Sequence, residues 1–164
     1  MKKRILLSFL CAVFLVSAGA AVSAASVNDF LGVVNFSMTL RDLSLLVTRG
    51  NQDQADTDRF IIVDGSVTSR EVLSGEGETF VGEIEVIQGE WIGLEDVRMY
   101  RCIVRFTGDE FASLIPARRS RRRSETELTL HSRVLVVGRL AEFRTMADGS
   151  VIPVIEGKFI RLLI

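Results

Sequence analysis

An all-β domain is what the sequence predicts, and three observations predict it. Apolar and polar residues alternate over several short stretches, turn signals recur between them, and two long apolar runs flank Asp148-Gly149. No segment holds a long helical period.

Taken in order, the elements begin behind a leader. Lys2, Lys3 and Arg4 precede an uncharged run from Ile5 to Val16, and small residues follow, with Val22 and Ala24 at the −3 and −1 positions of a cut before Ala25. This is the three-part form of a secretory signal peptide over residues 1–24, with 25–164 as the mature domain. A retained anchor needs about 20 strongly apolar residues. Here the run decays into Ser, Gly and Ala after Val16, so cleavage is expected, with delivery to the periplasm or the exterior and no membrane span in the product. Cys11 lies mid-run behind Ser8-Phe9-Leu10 and does not fit a lipoprotein signal.

The first strand is expected within 33–47, where Val34, Phe36, Met38 and Leu40 alternate with Asn35, Ser37, Thr39 and Arg41. The wider stretch 28–47 also admits a helix; strict alternation and frequent Val, Phe and Thr favour the strand. A polar loop leads to a second strand, 59–73, in which Gly65 marks a bend or bulge. After the turn "SGEGE", the stretch from Thr79 sets Ile84 and Val86 against Glu83 and Glu85. In "VRMYRCIVRF", Tyr100, Cys102, Val104 and Phe106 share one face and Arg101 and Arg105 the other. "TGDE" turns the chain into "FASLIP", which ends at Pro116, and the arginine segment follows. The last unit is a hairpin about Asp148-Gly149, because Gly tolerates the positive φ of a tight turn. About seven strands at this spacing make a barrel or sandwich.

Residues 80–163 resemble an OB-fold: a long strand, a strand, a short strand, an irregular insert, then two paired strands. The unit "RVLVVGRLAEFRTMADGSVIPVIEGKFIRLL" is similar to the last hairpin of the single-stranded-DNA-binding and anticodon-binding branches, in which a V-x-G-R-L strand passes through a Gly turn into the final strand. The resemblance implies a five-stranded Greek-key barrel over 78–164, with two additional N-terminal strands (33–73) extending or covering it. It does not carry the ligand across. Nucleic-acid-binding OB-folds use aromatic platforms and a cationic groove, whereas here Glu83 and Glu85 adjoin Arg101 and Arg105, and Trp91 and Tyr100 are the sole aromatics with a polar handle.

The chemistry expected of an enzyme is sparse. The one His, His131, has no acid beside it in "LTLHSRV", and Cys102 is in phase with core residues. After cleavage Cys102 stands alone, so no internal disulfide forms, and two Cys or His residues are too few for zinc. Asn51, Asp53, Asp56 and Asp58 offer oxygen ligands, but an EF-hand needs Gly and Glu where Asp56 and Ile62 stand. No catalytic residue, metal or cofactor is assigned.

What remains is "ARRSRRRSE". The mature chain has 17 Lys plus Arg against 21 Asp plus Glu, so the run reverses the sign of an acidic body. Arg118, Arg119, Arg121, Arg122 and Arg123 are read as a solvated loop, as an anion-binding finger, since guanidinium pairs with phosphate or carboxylate in a two-pronged geometry, or as a processing site for trypsin-like proteases. An anionic envelope component or an acidic protein is the expected partner. Nucleic acid is scarce in that location, and membrane contact would be peripheral and salt-sensitive. The alternative is an oligonucleotide- or oligosaccharide-binding face formed by Trp91, Arg101 and Arg105.

Overall fold

The structure, a computed structural model, describes residues 31–74, 79–116 and 127–163. Five strands dominate it: β1 (Ile61–Val72), β2 (Val81–Ile92), β3 (Asp96–Thr107), β4 (Arg133–Thr145) and β5 (Val151–Leu163). They close on themselves in the order β1-β2-β3-β5-β4. Every neighbouring pair is antiparallel except β3 with β5, which run parallel over Ile103–Phe106 and Val154–Gly157.

Closure requires β1 to serve two neighbours. Its first half, from Ile61, pairs with β4, and its second half, to Val72, pairs with β2; Ser66 belongs to both ladders. Gly65 sits beside this hand-over, where a Cβ would lie 2.4 Å from the carbonyl oxygen of Ile87. The register slip itself comes later, between Val67 and Ser69. A bulge of this kind sharpens the local twist and lets one strand bend from one partner to the next. The β4–β5 hairpin turns as its sequence predicts: Gly149 has φ 81°, Gly149 N–H donates to Met146 O at 3.0 Å, and Asp148 accepts from Ser150 N–H at 2.9 Å.

Alternation along β2 and β3 sends Ile84, Val86, Tyr100, Cys102, Val104 and Phe106 inward, where they meet Ile61, Val134, Val136 and Ile155. The two ends of this core are covered by different elements. Near the Gly82–Phe106 end, Ile115 and Leu128 are buried, and the short helical turn Asp109–Phe111 brings the Phe111 ring to 4.8 Å from that of Phe106. A helix, α1 (Leu40–Arg49), adds Leu40 and Leu43 to the same core and packs on β3 and β5.

That helix corrects the strand expected within 33–47. The alternation from Val34 contributes one parallel bridge, Val34 to Phe60, and stops. From Leu40 onward the apolar residues Leu40, Leu43 and Leu46 fall on one helical face. Thr39 and Asp42 form a capping box, with Asp42 N–H donating to Thr39 Oγ1 at 3.2 Å and Thr39 N–H to the Asp42 carboxylate at 2.9 Å; Gly50 ends the helix at φ 69°. The second expected addition, 59–73, is β1 itself, a member of the closed sheet. Two extra N-terminal strands are therefore not present among the described residues.

Gly138 gives a test of closure. A Cβ there would stand 2.5 Å from the Glu156 carbonyl oxygen and 2.6 Å from the Ile155 side chain, so β4 and β5 must part to admit it. Gly138→Ala is expected to lower unfolding free energy in urea by about 1–3 kcal/mol. Gly32→Ala, with nothing within 4 Å, should stay within about 0.5 kcal/mol of the parent.

Candidate functional site

The arginine run, Arg118, Arg119, Arg121, Arg122 and Arg123, lies outside the described residues, as does the leader. What is described is the neck from which the run departs and to which it returns. Leu128 N–H donates to Leu114 O at 2.9 Å, and Ile115 and Leu128 are both buried. Next to this tie, Arg70 of β1 donates to the Glu127 carboxylate at 2.9 Å and to Leu128 O at 2.6 Å. Glu127 is buried, and this contact supplies the partner that a buried charge requires. The tie thus joins the described residues on the two sides of 117–126.

A second surface is the outer face of the sheet, where the sequence grouped Trp91, Arg101 and Arg105. All three lie on one face: Trp91 is opposite Val97, and positions 97, 101 and 105 of β3 share a side. They are not one cluster, because the eight residue steps from 97 to 105 span roughly 26 Å at about 3.3 Å per residue. The two arginines are also already engaged. Arg105 donates from Nε to Glu83 at 2.9 Å and from Nη2 to Glu142 at 3.3 Å. Arg101 donates to Ser150 Oγ at 2.9 Å and stands 3.6 Å from Glu85 and 3.7 Å from Asp148.

The centre of this face is Glu83, which is buried despite its charge. Arg144 grips it in a two-pronged pair, Nη1 at 2.9 Å to Oε2 and Nη2 at 2.8 Å to Oε1, and Arg105 adds a third donor. The Arg144 hydrogen bonds hold the Glu83 carboxyl below its ordinary range; burial opposes this, and Arg105 reinforces it. Beneath the charges, Ile103, Ile152 and Val154 form a small buried cluster with Met146 packed on it. Glu71, Glu83, Glu85, Ile103, Arg144 and Met146 are among the residues lining a shallow depression of about 140 Å³. Sequence patterning could not have found Arg144 or Glu142, since they come from the closing hairpin and β5 separates their strand from β3.

The remaining candidates are placed as follows. Cys102 is fully buried, and burial, with the Glu85 charge adding to it, pushes its thiol up to about 12. His131 is exposed at φ 69°, and its N–H donates to Val67 O at 2.7 Å. In the polar loop, Asp56 accepts from Arg59 Nε at 2.5 Å and from the N–H groups of Asp58 and Arg59, so its oxygens fold the loop onto itself. Among the described residues no helix is long and apolar enough to cross a membrane. No family model matches the chain, and no curated protein does.

Glu83→Gln removes the charge that two arginines share. Both arginines are about a third exposed and can turn to water, so the expected loss is about 1–3 kcal/mol in denaturant titration. The pH signature is separate. A carboxyl depressed in the folded state stabilises above its unfolded value, near 4.5, and that stabilisation is lost as pH falls through the lowered folded value. The difference in stability between parent and Glu83→Gln should therefore shrink as pH is taken below about 4.5.

Proposed function

We propose that this protein is an exported, non-enzymatic binding or envelope-structural module, built on an OB-like Greek-key barrel, that contacts an anionic partner through Arg118, Arg119, Arg121, Arg122 and Arg123. The observation that carries the contact is the neck. The Leu114–Leu128 hydrogen bond brings together the two flanks of the ten residues that hold five guanidinium groups, which supports their acting as one unit on an otherwise acidic domain. Support for the barrel class comes from the closed order β1-β2-β3-β5-β4, the parallel β3–β5 seam, and the insert lying between β3 and β4. The buried, unreactive Cys102 and the commitment of Glu83 to two arginines favour a non-catalytic role. An envelope polyanion or an acidic protein matches the guanidinium chemistry.

The competing reading is an oligonucleotide- or oligosaccharide-binding face at Trp91, Arg101 and Arg105. The exposure of Trp91 favours it. The internal pairs of both arginines weigh against it, because a ligand phosphate would have to displace carboxylates already at 2.9 to 3.7 Å.

The test is retention of residues 25–164 on an anionic matrix across a salt series, beside a variant with all five clustered arginines changed to serine. The expected result is retention of the parent near 0.15 M salt, steep loss above it, and flow-through of the variant. Equal elution of both would remove the arginine contact. Quenching of Trp91 by an oligonucleotide or oligosaccharide would transfer the function to the barrel face.

A further inference from the structure

The β2–β3 hairpin is longer than the sheet it belongs to. It is paired from Val81–Thr107 to Ile92–Asp96, but β1 accompanies β2 no further than Ile87, and β5 meets β3 only from Ile103. Beyond those points the hairpin is a two-stranded arm, an arrangement of marginal stability unless something packs on it. One face is held by α1: Arg41 donates to Glu90 at 2.7 Å, and the Tyr100 hydroxyl donates to the same carboxylate at 2.5 Å. Among the described residues the other face is uncovered and apolar. Trp91 is 71% exposed, Val97 44%, Met99 49%, and Leu94 at the tip 96%. Gly89 allows this surface to be continuous, since Val97 Cγ1 and Met99 Sδ come within 3.3 and 3.4 Å of where its Cβ would be. Single exposed apolar residues are ordinary, but a contiguous patch marks a contact surface.

We propose that this face of the arm is a self-association surface, on which a second copy of the chain lays its own arm antiparallel and buries Trp91, Leu94, Val97 and Met99 of both. The charges around the patch select this occupant. Glu95 adjoins Leu94 at the tip, and Arg101 borders the apolar stripe at its root, opposite Ile87. In a two-fold antiparallel arrangement the acidic tip of each arm meets the basic root of the other. Arg101 keeps its 2.9 Å hydrogen bond to Ser150 and its longer contacts, 3.6 and 3.7 Å, to Glu85 and Asp148, and a partner's Glu95 would share its charge with them rather than displace them. A lipid surface fits less well, since Glu95 and Asp96 flank the most exposed leucine and would be driven into the headgroups. The area is sufficient: four such side chains expose on the order of 500 Å² per copy, and a total near 1,000 Å² is the lower edge of a specific interface.

Trp91 is the one tryptophan of the chain, so its emission reports on this face directly. Sedimentation velocity of residues 25–164 from about 1 to 100 μM is expected to pass from monomer to dimer, with Trp91 emission shifting to the blue in step. The double variant Leu94→Glu, Met99→Glu alters two exposed side chains and should weaken association at least about 30-fold, the scale of a central contact pair. Glu95→Arg should weaken it several-fold by opposing Arg101. Phe159→Glu, on an exposed position of β5 outside the arm, should leave the dimer intact. A chain that stays monomeric at 100 μM with unchanged emission overturns the proposal, as does a dimer that survives the double variant or is abolished by Phe159→Glu. A monomer whose emission shifts only on addition of phosphatidylglycerol vesicles would assign the face to lipid instead.

Discussion

The closed sheet depends on its shortest seam. β3 and β5 touch over four residue pairs, against twelve along β2–β3, and without those four the sheet would be an open, curled ribbon. The seam is sealed on both sides. Inside, Val104, Phe106 and Ile155 are buried, and the Phe106 ring lies over Gly157, where a Cβ would come within 2.3 Å of it. Outside, Ile103 and Val154 stand opposite one another, with Ile152 and Met146 beside them. Over this outer cluster run the charges: Glu83 from β2, Arg105 from β3, and Glu142 and Arg144 from β4, so that three strands are stitched across the join. The seam, the buried glutamate and the shallow depression are three views of the same closure.

This arrangement explains why the β2–β3 face is a poor match for a polyanion groove. Its cations are present on β3 but are engaged by carboxylates, of which Glu83 and Glu85 of the adjoining β2 are more deeply placed than the arginines. A surface ion pair is worth little by itself, but here Glu83 is buried and accepts three donors, and removing one member would strand the others. The available cationic chemistry is therefore displaced to the insert between β3 and β4, and the available apolar surface to the far end of the β2–β3 hairpin.

The sequence was informative where local pattern and tertiary role coincide. Tyr100, Cys102, Val104 and Phe106 alternate in the chain and all point inward, and Asp148-Gly149 makes the turn its residues demand. It misled where two local patterns overlapped. Residues 34–40 alternate like a strand while 39–50 carry a capping box, a helical apolar spacing and a C-terminal glycine. Burial of Leu40 and Leu43 in the sheet's interior decided between them. The role of 59–73 as a member of the closed sheet was invisible because it rests on pairing with β4, about seventy residues away. For the same reason the partners of Glu83 could be named only on one side: Arg105 sits on the adjoining strand, whereas Arg144 arrives through closure.

The tie between Leu114 and Leu128 has a consequence for how this chain can change. The fold holds the two flanks of the insert together, half-buried Leu114 and buried Leu128 joined by a hydrogen bond, and in general the cost of closing a loop grows only by about 0.6 kcal/mol for each doubling of its length. Ile115 and Glu127, buried beside the tie, are bound by the fold, and the length and residue types between them are set apart from it by that tie. The segment is thus a cassette. Descendants of this sequence could trade arginines for a different recognition chemistry there while the closed sheet stays as it is.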